Sequence, residues 1–152
     1  METTLILDNL RSSVWRLFLT ANVRLLDRIE TKMAEAGLPP LEWYDILLTL
    51  KEAPKQYMRL SDLADKVLLS RSNLTRLLDR LEKAQLLKRQ PCPSDRRGLY
   101  AVLTDEGLAM QQRMWVVYSE GIAEYFACEL TDEEAIVFQR VLQKLLQRVE
   151  AP

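Results

Sequence analysis

The sequence predicts a mainly α-helical fold with one small β-hairpin. Glycine and proline are scarce, at four and six in 152 residues, which favours helices over turn-rich β architectures. Apolar residues make up 48% of the chain and charged residues 28%, so a packed core is expected and disorder is not. Most of the chain repeats apolar residues at helical spacing, whereas two short stretches are typical of strands. The length suits one domain, or one compact unit with two parts.

The first third of the chain is predicted to form two helices. Apolar residues recur through residues 7–33 with charges between them, and Gly37 followed by two prolines ends this long helix. A second helix is expected from about Leu41 to Glu52, before Pro54 interrupts it. Residues 57–60 then suit a short extended segment.

Two short helices with a tight connection follow. Ser61 suits the N-cap of the first, and Ser70 suits the N-cap of the second, which runs from Arg71 to about Ala84. The second helix places leucines at helical spacing on one face: Leu74, Leu77, Leu78 and Leu81. This arrangement is typical of a helix-turn-helix.

A basic hairpin is predicted next. Residues 86–89 and 99–103 suit two short strands, and the intervening residues 90–98 contain two prolines and a glycine, which indicate a loop. A hairpin with a basic tip behind a helix-turn-helix is a wing, so the predicted fold is a winged helix-turn-helix.

The last third is predicted to form two more helices. Thr104 suits the N-cap of the first, and the segment from Thr131 to Glu134 matches a capping box that opens the second. The long first helix and these two carry broad apolar stripes that one small lobe cannot cover, so a homodimer is expected, with packing inside one chain as the alternative. We therefore expect an N-terminal dimerisation helix (1–40), a winged helix-turn-helix lobe (41–104) and C-terminal dimerisation helices (105–152).

The charge distribution points to a polyanion as the partner. The whole chain carries a net charge of −1, but residues 71–97 carry +5 and the remainder −6. A basic stripe on an acidic body is an electrostatic footprint for nucleic acid. Chance clustering on a solvated surface is the alternative, and charge alone does not decide between them.

The side chains expected to read DNA lie opposite the leucine face. Packing that face inward turns Ser72, Thr75 and Arg76 outward, and residue types of this kind hydrogen-bond base edges and phosphates in the major groove. An ordinary amphipathic surface helix would also have a polar face, so the neighbouring short helix and basic hairpin give the pattern its weight. The predicted DNA-binding set comprises Ser70, Arg71, Ser72, Asn73, Thr75, Arg76, Arg80, Arg96 and Arg97.

Several functional classes are excluded or disfavoured by composition. The chain has no histidine, which removes histidine-based catalysis and most zinc sites, and no nucleophile–base pair, phosphate-binding loop or metal cluster is visible. A small helical enzyme is therefore a remote alternative, and neither a cofactor nor a metal is expected. Two cysteines, no secretory signal and no apolar run of about 20 residues favour a cytoplasmic protein without membrane contact.

Four segments of the chain form a pattern: residues 70–83 (SRSNLTRLLDRLEK), 86–89 (LLKR), 95–97 (DRR) and 102–107 (VLTDEG). This pattern resembles the signature of the MarR family, and the resemblance extends over nearly the whole chain. It implies a homodimer with Arg97 in the minor groove and Asp95 orienting that arginine. The expected function is a transcriptional regulator of palindromic operators, a repressor in the first place and an activator as the alternative. One residue departs from the family pattern: Gln85 stands where members carry glycine, so a differently shaped helix end is expected there.

The resemblance also implies a small aromatic effector bound between the dimer helices and the DNA lobe. The aromatic residues that suit such a pocket are Trp15, Phe18, Trp43, Tyr44, Trp115 and Tyr118. Aromatic stripes at helical spacing are more often plain core. Cys92 on the wing and Cys128 are open to oxidant sensing, although an incidental role is the commoner case. A winged helix that binds only protein is the remaining alternative function.

Overall fold

The computed structural model describes residues 4–92 and 95–151, apart from the side chains of residues 95–97. The described chain is mainly helical with a three-stranded sheet, which confirms the predicted fold class. Its helices and strands are α1 (Asn9–Glu35), α2 (Leu41–Glu52), β1 (Tyr57–Arg59), α3 (Leu60–Lys66), α4 (Leu74–Lys83), β2 (Leu87–Cys92), β3 (Asp95–Leu103), α5 (Asp105–Tyr125) and α6 (Asp132–Glu150). None of these helices is long and apolar enough to span a membrane.

The chain divides into two compact units. The central unit is Ile29–Ser119, and the terminal unit consists of the described residues up to Arg28 together with those from Glu120 onward. The central unit therefore contains α2, α3, α4 and the whole sheet, and the terminal unit contains α6 and most of α1.

The central unit has a closed apolar core. Its leucine-rich helix faces meet beneath the sheet, and each of the following side chains is less than 2% exposed: Met33, Leu41, Ile46, Leu47, Leu50, Leu63, Val67, Leu81, Leu87 and Met114. The sheet has the strand order β1-β3-β2 with antiparallel pairing, so Ala101 of β3 lies between Met58 and Arg89. The predicted hairpin thus gains a third strand from residues 57–59.

The hairpin is longer than predicted. We expected residues 90–98 to form a loop, but β2 continues to Cys92 and β3 begins at Asp95. Pro91 pairs with Leu99 inside this extension. Proline has no N–H to donate, and it is tolerated here because β2 is an edge strand of the sheet.

The helix starts were predicted with mixed success. Ser61 is not an N-cap, because α3 already begins at Leu60. Ser70 does stand at the N-cap position of the helical segment from Arg71, whose first residues form a 3₁₀ turn, Arg71–Asn73, but its side chain makes no capping hydrogen bond. Thr104 does cap α5, because its hydroxyl accepts the Gly107 N–H at 3.0 Å. The capping box that opens α6 is also confirmed.

The terminal unit leaves its apolar residues exposed. No residue of α6 is buried, and the buried residues of α1, Ile29 and Met33, fall in the part of that helix that belongs to the central unit. The large exposed apolar side chains on these two helices are Leu10, Val14, Trp15, Leu17, Phe18, Leu19, Val23, Ile136, Val137, Phe138, Val141, Leu145, Leu146 and Val149.

Candidate nucleic-acid interface

The outward face of α4 carries the polar residues that the packing argument predicted. The inward face of the helix buries Leu77, Leu78 and Leu81. Thr75, Arg76 and Arg80 are exposed on the other side. The 3₁₀ turn before α4, Arg71–Asn73, is exposed as well, and we call this turn together with α4 the recognition segment. Hydroxyl, amide and guanidinium groups are thus presented along one continuous face.

Ser70 belongs to the interior rather than to this face. Its side chain is fully buried, and its hydroxyl donates a hydrogen bond to Asp45 Oδ2 at 2.9 Å. Because its hydroxyl is used inside the protein, Ser70 is left out of the DNA contacts proposed below. The sequence showed a serine before a helix, but it did not show which acceptor the hydroxyl would find.

Asp45 of α2 is a central feature that sequence reasoning missed. Its buried carboxylate accepts the backbone N–H groups of Leu68, Leu69 and Ser70 at 2.9, 2.7 and 3.1 Å, in addition to the Ser70 hydroxyl. One signal was available, because Asp45 lies one helical turn after the buried Leu41, on the apolar stripe of α2. A charged residue on such a stripe indicates buried polar partners.

The C-terminal end of α4 is fixed by the start of α5. Gln85 has φ of 64°, the left-handed conformation, so the helix end keeps the shape that glycine would give it and the expected change of shape is wrong. The Gln85 carbonyl accepts the Thr104 hydroxyl at 2.7 Å. A Cβ on Gly107 would lie 2.0 Å from the Leu86 carbonyl oxygen, so only glycine lets α5 approach this closely.

An ion-pair cluster joins the recognition segment to β2. The Arg89 guanidinium lies 2.6 Å from Asp79 Oδ1 and 3.0 Å from Glu82 Oε1, and the Arg89 backbone N–H donates to Glu82 at 2.7 Å. These hydrogen bonds hold the pKa of Glu82 below its ordinary value and raise the pKa of Arg89. Arg89 therefore neutralises acidic groups of α4 instead of adding to the basic stripe.

The predicted DNA contacts of the wing are not tested by the described residues. The side chains of Asp95, Arg96 and Arg97 lie outside the described residues, so their roles stay predictions. Cys92 is buried on β2, and its sulfur accepts a hydrogen bond from Arg59 Nη2 at 3.6 Å. Cys128 is exposed in the terminal unit.

Three of the predicted effector residues form a cluster in the central unit. The Tyr44 ring lies 6.1 Å from Trp115 and 5.0 Å from Tyr118, and Trp115 lies 5.8 Å from Tyr118, between ring centroids. Burial raises the pKa of both tyrosines. Trp43 is half-buried on α2. Trp15 and Phe18 form a separate pair within the terminal unit, with centroids 6.3 Å apart.

A buried amide adjoins this cluster. The Gln111 Nε2 donates a 3.4 Å hydrogen bond to the Tyr44 hydroxyl, while the Gln111 Oε1 is buried without a partner among the described residues. An unsatisfied buried acceptor is costly. No group of side chains suited to hold a metal ion occurs in the described part of the chain.

The chain is similar in sequence to a known family and to a known transcriptional regulator. A sequence model of the MarR family matches residues 41–99. The HTH-type transcriptional regulator PrsX of Escherichia coli is 31% identical over 135 residues, which cover 89% of this chain and 80% of PrsX.

Two solved structures cover almost the whole chain. AbsC, a MarR family transcriptional regulator from Streptomyces coelicolor, is 31% identical, with a TM-score of 0.84 over 98% of this chain and 100% of AbsC. Sco3205, a MarR family regulator from the same organism solved in complex with DNA, is 27% identical, with a TM-score of 0.87 over 99% of this chain and 94% of Sco3205.

Proposed function

Since this chain belongs to the MarR family of DNA-binding transcriptional regulators, we propose that it represses transcription as a homodimer on palindromic operator DNA. The exposed polar face of the recognition segment, fixed at both ends by other elements, is the observation that carries the proposal. A winged helix that binds only protein is not favoured, because relatives across the family are DNA-binding regulators.

The side chains of the recognition segment divide the work of binding. Ser72, Thr75 and Arg76 face away from the core and are assigned to base edges in the major groove. Arg71, Asn73 and Arg80 flank these residues and are assigned to DNA phosphates. Arg96 and Arg97 of the wing are assigned to the groove next to the one that the recognition segment occupies. The ion-paired Arg89 is left out of this set.

The exposed apolar faces of the terminal unit support the dimer. Leu17 of α1 is 65% exposed and Ile136 of α6 is also 65% exposed, and apolar patches of this extent mark interaction surfaces. A second copy supplies the same surface, so a two-fold axis covers both chains at once. Two-fold symmetry predicts a near-palindromic operator with half-sites about 10 bp apart, centre to centre.

A small phenol or aromatic acid is proposed to weaken DNA binding through the aromatic cluster. Trp115 is 45% exposed, so a ligand has access to the cluster. The unpartnered Gln111 Oε1 can accept a hydrogen bond from a hydroxyl group of the ligand. In a screen of phenols and aromatic acids, at least one should quench tryptophan fluorescence and release operator DNA. Gln111→Leu should abolish that response and leave operator binding intact. A silent screen with DNA still bound would contradict the effector.

The main test compares two arginines. Arg76→Ala should weaken binding by about 1–3 kcal/mol and relax base preference within the half-sites. Arg97→Ala should weaken binding to a similar degree, lower the salt slope by about one ion per monomer and alter preference chiefly at the flanks of the site. Lys51→Ala, an exposed cation at the end of α2, is the control. Unchanged operator affinity for both arginine variants would contradict the proposed DNA contacts.

A further inference from the structure

We propose that Asp45 is a positioning residue for operator recognition, one that sets the recognition segment for base reading without touching DNA. The inference rests on the proposed DNA-reading role of that segment. Its evidence is the geometry around a single buried carboxylate that holds the turn joining α3 to the recognition segment.

The Asp45 carboxylate collects four donors from three successive residues. Its Oδ2 lies 2.9 Å from the Leu68 nitrogen, 2.7 Å from the Leu69 nitrogen, 3.1 Å from the Ser70 nitrogen and 2.9 Å from the Ser70 hydroxyl oxygen. A charged acceptor makes stronger and shorter hydrogen bonds than a neutral one. The negative charge also lies where the N-terminal end of the following helical turns is positive.

No local cap replaces this anchor. Ser70 and Asn73 precede the 3₁₀ turn and α4 respectively, and neither side chain caps the helical turn that follows it. Ser70 instead turns its hydroxyl inward to Asp45. The start of the recognition segment is thus held by a residue of α2, 23 to 25 positions earlier in the chain.

The anchor has a direct consequence for DNA contacts. The backbone N–H groups of residues 68–70 are used inside the protein and are not available to operator phosphates. The residues that follow at once, Arg71–Asn73, are exposed and present their side chains beside this turn. Their position relative to a base pair therefore depends on the turn that Asp45 holds.

Specific binding should depend on this anchor more than non-specific binding does. Phosphate contacts tolerate small displacements, since long basic side chains adjust to the backbone. Hydrogen bonds to base edges require a fixed donor position. Releasing the start of the recognition segment should consequently lower the preference for operator over other DNA and leave charge-driven binding unchanged.

Asp45→Asn is the informative variant, because it keeps the size of the side chain and removes its charge. Asparagine keeps one oxygen acceptor, which is neutral and therefore weaker than a carboxylate oxygen, and its Nδ2 donates, so one of the two acceptor oxygens that face the Leu68 N–H in the wild type is lost. Leu47→Val, in the same helix and also buried, controls for a general loss of stability. Each variant is assayed at a temperature where circular dichroism shows it fully folded.

The experiment measures binding to two duplexes at one salt concentration: the duplex enriched by wild-type protein from a random library, and a scrambled duplex of equal length. For Asp45→Asn we expect at least a tenfold lower ratio of the two affinities, with unchanged affinity for the scrambled duplex and unchanged salt slope. Leu47→Val should keep the wild-type ratio. A folded Asp45→Asn protein with a ratio within twofold of wild type would overturn the inference, as would an equal loss in Leu47→Val.

Ser70→Ala keeps the test decisive if Asp45→Asn does not fold. It removes only the hydroxyl donor, so we expect a two- to threefold lower ratio, and an unchanged ratio would then overturn the inference. Wild-type protein that enriches no duplex at all would overturn the proposed function itself. If Asp45→Asn keeps the wild-type ratio of operator affinity to scrambled-duplex affinity, only the role of Asp45 is overturned.

Discussion

The central and terminal units bury their apolar residues in different ways. In the central unit, Leu47, Leu63 and Leu81 are fully buried within one chain. In the terminal unit, Leu17 and Leu145 are more than half exposed although they lie on apolar stripes of the same kind. An apolar stripe in the sequence therefore does not by itself show that its residues are buried within one chain.

Polar anchoring differs between the units as well. Buried or half-buried polar groups lock the recognition segment at its start through Asp45 and along its length through Glu82 and Arg89. The α6 helix of the terminal unit instead begins with a solvent-exposed capping box. The central unit thus holds one polar surface in place, whereas the terminal unit leaves an apolar face exposed, which the proposed second copy would cover.

The largest effect should come from a charge on the terminal apolar face. Leu145→Asp would bury an unpaired carboxylate once in each copy of a symmetric dimer, which costs about 3–5 kcal/mol per site. We expect light scattering to show a monomer at micromolar concentration. Leu68→Asp, at an exposed leucine of the central unit, should leave the mass unchanged. A Leu145→Asp dimer as tight as wild type would remove the distinction between the two units.

A truncation in the core should destabilise the protein independently of its assembly. Leu81→Ala should lower the free energy of unfolding by about 2–5 kcal/mol, because it leaves a cavity beneath the recognition segment. Leu68→Ala, at a side chain that is 84% exposed, should change it by less than about 0.5 kcal/mol. Urea unfolding followed by circular dichroism measures both. Equal losses would mean that burial does not set the cost.

A smaller effect of opposite sign is expected at the end of the recognition segment. Gln85 adopts φ of 64°, which costs roughly 1–2 kcal/mol for a residue with a side chain. Gln85→Gly should therefore raise the free energy of unfolding by about 1 kcal/mol, and Gln90→Gly in β2 should not. Thermal unfolding of the two variants provides the comparison, and a destabilised Gln85→Gly protein would show that the side chain itself is needed.

The smallest effect concerns pH. Arg89 keeps the folded pKa of Glu82 below its unfolded value, so this pair stabilises the fold above the unfolded pKa, and the contribution disappears as pH falls through the folded pKa. Glu82 is exposed enough that solvent screening limits the contribution to a fraction of about 1 kcal/mol. Glu82→Gln should lose stability at neutral pH and match wild type at acidic pH. If the difference in the free energy of unfolding between Glu82→Gln and wild type stayed constant from neutral to acidic pH, the charge of Glu82 would be irrelevant to stability.

Local patterns predicted much of this structure, and long-range pairings explain most of the rest. The bounds of α2 and the leucine face of α4 follow from helical periodicity, and Thr104 and Thr131 follow from capping chemistry. The third strand, β1, was predicted only as an extended segment, because its partner β3 lies some 40 residues later in the register Met58–Ala101.

The roles of Ser70 and Arg89 also depend on partners that are distant in the sequence. Ser70 looked like an N-cap because serine commonly is one, but a buried carboxylate from α2 competes for its hydroxyl. Arg89 looked like part of a basic stripe because charges were counted along the chain, whereas folding places it against Asp79 and Glu82. Local residue type was known in each case, and the spatial partner was not.

Hydrogen–deuterium exchange at several protein concentrations tests the central distinction most directly. If a second copy covers the terminal unit, amides of α6 should exchange faster as dilution dissociates the dimer, because α6 buries no residue within its own chain. Amides of α2, whose core positions are covered within one chain, should keep their protection. Concentration-independent protection of α6, down to concentrations where light scattering shows monomer, would contradict the account.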